Sequence, residues 1–356
     1  MKSILHIVGN RPQFIKLAVL HRQLKNDSSF SQKIIHTGQH FSHNMSDIFF
    51  DELKIPSPDI NFNLQHPSPN LFIANAADLL QQYLEENSNS VVFVYGDTNT
   101  TAAAAIAAVR CKIPLLHFEA GVRTNDISMP EELNRIITDR LANVNYCCTY
   151  NNFKTMQEEG YGGIVPSQLF LTGDLMLDAF LKIEQAAKNV IDEKDYIICT
   201  IHREANLSNK TNLSSIIDAL NKLHSLMQVV MPIHPHTQKK MNEFGLVPKF
   251  KTIPALGYGE MKTCLANANF VITDSGGTSR EAYFSKKKSL IIMDNPFWPE
   301  IIDANCSISC SADTQSVLQC FQQLTNLHSD FSSNIFGDGN AAEKIHQHIS
   351  AYMNSL

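Results

Sequence analysis

The chain has no run of Lys or Arg longer than the triplet at 286–288, and its 35 acidic residues outnumber 29 basic ones, giving a formal charge of −6. A polyanion binder needs a basic stripe to displace counterions from phosphates, so nucleic acid is not an expected partner. Small anions stay open, because a local patch can oppose the net sign. Apolar runs of bilayer length are missing as well. The longest uncharged apolar stretch, AAAAIAAV at 102–109, falls far short of the roughly 20 residues a spanning helix takes, and the apolar run in MKSILHIVGNRP is too short for a signal peptide. No CxxC pair occurs among the eight cysteines, several of which lie in strand-like runs such as VNYCCTY and YIICTI. They read as buried free thiols of a reducing compartment, and the expected location is the cytoplasm. Low-complexity segments and solenoid repeats are also lacking.

What is present is a repeating alternation over 356 residues, 44% of them apolar, enough for two cores. Strand-length apolar runs (ILHIV, KIIHT, VVFVYG, IPLLHF, VNYCC, LFLTG, YIICTI, MQVVMPIH, FVITD, SLIIM) alternate with segments of helical period such as IKLAVLHRQLK and LSSIIDALNKLHSL. Strands apolar throughout and followed by helices predict parallel sheets covered on both faces. The pattern restarts at DYIICTIHR after the polar stretch EQAAKNVIDEKD, which predicts two α/β domains joined near 173–194.

Ligands of open α/β sheets bind beyond the carboxyl ends of the strands, so those ends carry the candidates. GNRPQFIK sets Arg11 at a helix start, with Pro12 suited to the first helical position, and this suits a phosphate. Lys16 reads equally as a lysine on a solvated helix. YGDTNTT places Asp97 at a helix start, where alone it reads better as an N-cap. HFEAGVRT ends the next strand with Glu119, and MPEELNR opens a helix with Glu131 and Glu132, one of which is expected to face the same cleft. Three acids on neighbouring strand ends are harder to assign to capping than one. TIHREAN contributes His202 and Arg203. TDSGGTSREAY presents Ser275, Gly276 and Gly277 at a strand-to-helix turn whose N–H groups would cradle a diphosphate, with Glu281 one turn further on for ribose hydroxyls. The histidines at 36, 40, 43, 234 and 236 form no zinc-ligand pattern, so no metal is expected.

GNRPQFIK, TGQHF, YGDTNT, HFEAG, MPEELNR, IHR, TDSGG and GDG stand in the order and spacing of bacterial UDP-N-acetylglucosamine 2-epimerases, and the chain resembles that family over nearly its whole length. The resemblance implies two Rossmann-like doubly wound domains facing a central cleft, as in the GT-B fold. The N-terminal domain would span 1–172, with a C-terminal helix at 341–356 packing back on it, and the UDP-binding domain 173–340. It also implies a homodimer, a UDP-sugar substrate, and neither metal nor redox cofactor. The family is understood to eliminate UDP from C1 while removing the C2 proton, then to add UDP back with a proton on the other face. On this resemblance Asp97, Glu119, Glu131 and His202 are the catalytic positions. Arg11, Ser275 and Gly276 are diphosphate contacts, and Glu281 is the ribose contact. Lys16, Gln39, His40, Arg135, Arg203 and Gly277, from the same motifs, complete the substrate-binding set.

Departures narrow the resemblance. Asn10 and Gln13 stand where many members have Thr and Glu, and QHFSHNM differs from the QHR stretch of an activating second UDP-sugar site, so substrate activation is not expected. Several segments are more similar to the branch acting on UDP-2,3-diacetamido-2,3-dideoxyglucuronate, yet MDNPFWPE lacks the usual RDxTE, and Ser279 replaces a frequent Gln. Phe297 and Trp298 suggest a less polar sugar edge. Three other functions share parts of the pattern: a hydrolysing epimerase, a GT-B glycosyltransferase and a nucleotide-sugar sensor without turnover.

Overall fold

A computed structural model describes residues 2–39, 50, 52–186 and 189–356. The chain divides into two compact units, Met1–Lys182 with Asn334–Leu356, and Ile183–Ser333.

The first unit is a seven-stranded sheet of β1 (Lys2–Val8), β2 (Phe30–His36), β3 (Ile60–Asn61), β4 (Ser90–Tyr95), β5 (Leu115–Ala120), β6 (Val144–Cys147) and β7 (Gln168–Leu171), in the order β3-β2-β1-β4-β5-β6-β7. Every pairing is parallel. All residues of β4, β5 and β6 are buried, as expected for strands covered by helices on both faces and written as continuous apolar runs. The helix Asn99–Arg110 owes its fit to alanine. Ala102–Ala105, Ala107 and Ala108 are all buried, so its small face approaches the sheet and the neighbouring helices Pro69–Glu86 and Pro130–Leu141 closely.

The last helix, Ala341–Ser355, belongs to this unit. It buries Ala341, Ala342, Ile345, Ile349 and Met353, a stripe of helical spacing. Its own Asn340 makes no capping hydrogen bond. The cap comes from another element: the buried Asp178 carboxylate accepts from the Ala341 N–H at 3.0 Å and the Ala342 N–H at 2.9 Å. Further along, His346 Nε2 meets Asp27 Oδ2 at 2.8 Å, and Lys2 Nζ donates to the Met353 carbonyl at 2.9 Å. Because Asp178 lies on the helix Leu175–Lys182, that helix stays with the first unit. The boundaries expected at 172/173 and 340/341 therefore move to 182/183 and 333/334.

The second unit is a six-stranded parallel sheet of β8 (Tyr196–Thr200), β9 (Gln228–Ile233), β10 (Lys251–Pro254), β11 (Phe270–Thr273), β12 (Ser289–Ile292) and β13 (Ser307–Cys310), ordered β10-β9-β8-β11-β12-β13. Both sheets reverse direction beside their first strand, between β1 and β4 and between β8 and β11, which is the doubly wound pattern with its ligand-binding switch point. All eight cysteines are free thiols, six of them buried. No described helix is long and apolar enough to cross a membrane.

Replacing Asp178 by Ala strands two buried N–H groups at the start of the last helix, so the unfolding free energy should fall by about 1–3 kcal/mol. Urea titration followed by circular dichroism measures this, and an unchanged midpoint would refute the cap.

Candidate functional site

In the first unit the switch point is framed by the ends of β1 and β4. The helix Arg11–Leu24 begins directly after β1, with Asn10 as N-cap accepting from the Gln13 N–H at 3.4 Å. Arg11, rather than Pro12, holds the first helical position, and Pro12 follows where its missing N–H is equally harmless. Gln13 is buried. Its amide nitrogen faces the Tyr95 carbonyl at 2.9 Å and the Thr98 and Thr101 hydroxyls at 3.0 Å, while its oxygen accepts from the Gly9 N–H at 2.7 Å. A glutamate could not donate to that carbonyl unless protonated, which gives the departure at this position a structural reason.

One turn on, Lys16 is 3% exposed and forms an ion pair with Glu119. Glu119 has a φ of 75°, uncommon for a residue with a side chain, and sits where the β5–β6 register shifts between Phe118 and Ala120. Such a conformation costs on the order of 1–3 kcal/mol and persists where the surroundings enforce it, often at functional sites. Between β1 and β5 runs β4, followed directly by Gly96 and Asp97. A Cβ on Gly96, whose φ is 62°, would stand 3.4 Å from Lys16 Nζ and 3.9 Å from Glu119 Oε1. The Glu119 carboxylate and the Asp97 turn are thus neighbours.

Asp97 is not the helix cap. Thr98 is, accepting from the Thr101 N–H at 3.2 Å, and this leaves the Asp97 carboxylate to pair with Arg135. Arg135 is 1% exposed and also pairs with Glu132, so this candidate substrate contact bridges two acids in the structure. Glu132 accepts as well from the N–H groups of Thr124 and Asn125 at 3.0–3.1 Å and shapes the preceding loop. Of the two glutamates in the first turn of the helix Pro130–Leu141, Glu131 is the partly exposed one, without a hydrogen-bond or ion-pair partner among the described residues. The side-chain oxygen of Gln39 accepts from the Thr100 N–H at 3.1 Å and its hydroxyl at 2.9 Å, bracing the helix Asn99–Arg110. His40 lies outside the described residues.

Behind these residues lies a buried group that the sequence did not single out. His117 and Asp139 are both 0% exposed, and Arg123 joins Asp139 at 2.6 Å. Burial works against the Asp139 carboxylate, but the His117 contact and the Arg123 guanidinium outweigh it and hold its pKa below the ordinary carboxylate value.

In the second unit, Asp274 at the end of β11 is fully buried and accepts from the backbone N–H groups of His202 (3.0 and 3.1 Å) and Arg203 (3.0 Å) and from the Asn206 amide (3.0 Å). It fixes the end of β8, leaving the His202 side chain 47% exposed. Ser275 caps the helix Gly276–Phe284, accepting from the Thr278 N–H at 3.2 Å. Gly276 and Gly277 occupy the first turn, whose N–H groups have no acceptor within a helix. Glycine is required at 276, where a Cβ would lie 2.5 Å from the Phe297 ring. Trp298 Nε1 donates to the Gly276 carbonyl at 2.9 Å, and Arg203 lies over the Phe297 ring at 5.1 Å. Glu281 is 8% exposed on the same helix.

Glu119, Cys148 and Asp174 present possible metal ligands within 4.8 Å of one another. The Lys16 ammonium already holds Glu119 and opposes a second cation there. The chemistry the first unit offers is therefore acid–base, and the second offers a helix N-terminus suited to an anion.

The sequence profile described as UDP-N-acetylglucosamine 2-epimerase matches residues 22–350. The chain belongs to the UDP-N-acetylglucosamine 2-epimerase family. A UDP-N-acetylglucosamine 2-epimerase homolog of Methanococcus maripaludis is 36% identical over 96% of this chain and 98% of its own length. The UDP-2,3-diacetamido-2,3-dideoxy-D-glucuronate 2-epimerase of Pseudomonas aeruginosa is 32% identical over 98% of this chain and 99% of its own. Among solved structures, the Methanocaldococcus jannaschii UDP-GlcNAc 2-epimerase in complex with UDP-GlcNAc and UDP matches at a TM-score of 0.90 and 32% identity, covering 99% of this chain and 100% of that one. Membership of this family makes the chain a nucleotide-sugar isomerase with a GT-B-like fold of two Rossmann-like units.

Lys16→Met leaves the Glu119 carboxylate buried without its cation and should cost about 3–5 kcal/mol. Adding Glu119→Gln should restore part of that loss. Denaturant titration of the two single variants and the double variant gives the coupling, and additive losses would show that the pair is not a unit.

Proposed function

We propose that this family member inverts C2 of a UDP-2-acetamido sugar, with UDP-N-acetylglucosamine as the first substrate to test. The observation that carries the reading is the pair of carboxylates, Asp97 and Glu119, at the ends of the adjacent parallel strands β4 and β5, each matched to a buried cation, with the uncommitted Glu131 on the following helix.

The chemistry requires such a set. The C2 hydrogen of the sugar is not next to a carbonyl and is not acidic. One carboxylate takes that proton as the C1–O bond breaks. The electrons of the C–H bond form C1=C2, and UDP leaves with the C–O pair on its β-phosphate oxygen. Return of UDP to C1 with a proton delivered to the opposite face of C2 completes inversion, so the route calls for a base and an acid on opposite faces of the sugar. Asp97, Glu119, Glu131 and His202 are proposed for these tasks. Groups of this kind contribute about 10²- to 10⁴-fold each. Arg11, Ser275 and the first-turn N–H groups of Gly276 and Gly277 are proposed to stabilise the departing diphosphate, and Glu281 to accept from ribose hydroxyls. Lys16, Gln39, His40, Arg135 and Arg203 complete the proposed binding set. No hydride moves, so no redox cofactor is invoked. The proposal extends to a homodimer in the cytoplasm that supplies precursors for surface polysaccharide such as O-antigen.

A second substrate, the 2,3-diacetamido uronate, is favoured by the Pseudomonas aeruginosa relative.

Incubation with either UDP-sugar in D₂O, followed by NMR, should place deuterium at C2 with inverted configuration. Absence of exchange with both sugars would reject the reading, and free sugar as sole product would redirect it to hydrolysis. Asp97→Asn should lower turnover by at least about 100-fold while calorimetry finds UDP affinity unchanged. Parental turnover in the folded variant would remove Asp97 from the chemistry.

A further inference from the structure

The proposed reaction makes no use of the buried charges behind Asp97, although they form one connected line. His117 Nε2 lies 2.8 Å from the Gly96 carbonyl, and Nδ1 lies 2.8 Å from Asp139 Oδ1. Asp139 Oδ2 accepts from Arg123 at 2.6 Å and from the Gly121 N–H at 3.2 Å. Arg123 then makes a bidentate pair with Glu159, 2.8 Å on each arm, at the surface. A carbonyl oxygen only accepts, and Asp139 is held as a carboxylate, so the imidazole donates from both nitrogens.

Burying charges in this way contributes little net stability, because apolar residues of similar volume commonly serve as well. The line therefore needs another reason, and its two ends supply one. Gly96 stands directly before Asp97 at a φ of 62°, its N–H donating to the Phe118 carbonyl at 2.8 Å and its own carbonyl facing His117. Gly121 follows Glu119 by two residues at the end of β5. One buried carboxylate thus restrains both strand ends that carry the acid–base candidates. It acts directly on Gly121 and, through His117, on Gly96. A charge-assisted bond to the Gly96 carbonyl removes the freedom a glycine would otherwise give the Asp97 turn.

We propose that His117 is a positioning residue that sets the Asp97 carboxylate by donating from Nε2 to the Gly96 carbonyl, with Asp139 orienting the ring. The kinetic consequence rests on the epimerase reading, whereas the hydrogen bond itself does not.

Two amides divide the ring's functions. The nitrogen of His117→Gln reaches the place of Nε2 and retains the bond to Gly96. His117→Asn reaches the place of Nδ1 and retains only the bond to Asp139. With UDP-N-acetylglucosamine or the diacetamido uronate, whichever the parent turns over, His117→Gln should keep kcat within about 3-fold. His117→Asn should lose up to about 100-fold, the cost of a misplacement near 1 Å, with KM and UDP affinity unchanged although both variants lose similar Tm. Equal loss of kcat in the two, tracking Tm, or parental kcat in His117→Asn, would overturn the role. A measurement on the parent covers the case of a variant that does not fold. The ¹⁵N spectrum of labelled histidine should show His117 bearing hydrogen on both ring nitrogens, with scalar coupling from Nε2 to the Gly96 carbonyl. A ring without that coupling refutes the proposal, whereas a parent that exchanges no C2 hydrogen refutes the epimerase reading instead.

Discussion

Lys16 and Glu119 meet inside the first unit, from the helix after β1 and from the end of β5, and the strand between those two is β4. Their ion pair therefore passes beside the end of β4, and this explains two local oddities. Gly96 sits against the Lys16 ammonium, 3.4 Å from where a Cβ would be, at a φ of 62° that favours glycine. Glu119 takes a left-handed φ at the one place where the β5–β6 register shifts. Neither group could be buried alone at a cost below several kcal/mol. The strain at Glu119 is tolerated because the pair requires it, and the Asp97 turn is held in the space that remains.

The second unit solves a similar problem without a buried cation. Asp274 is as deeply buried as any residue in the chain, and its charge is met by N–H donors from the end of β8 and by the Asn206 amide. The carboxylate thereby ties β8 to β11 on the two sides of the reversal in strand order, leaving the next helix to point its first turn outward. Trp298 and Phe297 close on that turn from the β12 side, one by a hydrogen bond to the Gly276 carbonyl and the other by direct packing.

Legibility in the sequence followed the continuous apolar runs. Ten strands announce themselves as continuous apolar runs. The three that do not, β3, β10 and β13, lie at sheet edges, and Ile60–Asn61 and Lys251–Pro254 are no more than half-buried along their length. The fourth edge strand, β7, is no more buried, yet its run LFLTG is apolar, so an edge position weakens the signature without erasing it. The candidate acids stood out because they end strands, and the structure gathers Asp97 and Glu119 with Lys16 and Arg135. What the sequence left hidden is the supporting layer: His117 in mid-strand, Asp139 late in a helix, and Asn206. Each is a polar residue whose meaning depends on a partner distant in the chain, and no local period encodes that. Gln13 is similar, since its four contacts join β1, β4 and the helix after β4.

The return of the last helix to the first unit has a consequence for biosynthesis. The Asp178 carboxylate waits through more than 150 residues of intervening chain before Ala341 and Ala342 reach it. On the ribosome the later-made unit can therefore finish folding first, while the earlier-made one stays open along the seam that Ile345, Ile349 and Met353 will fill. A premature stop just after Ser333 would leave the whole second unit encoded and yet damage the first, because the helix that seals that earlier core is translated after its neighbour is complete.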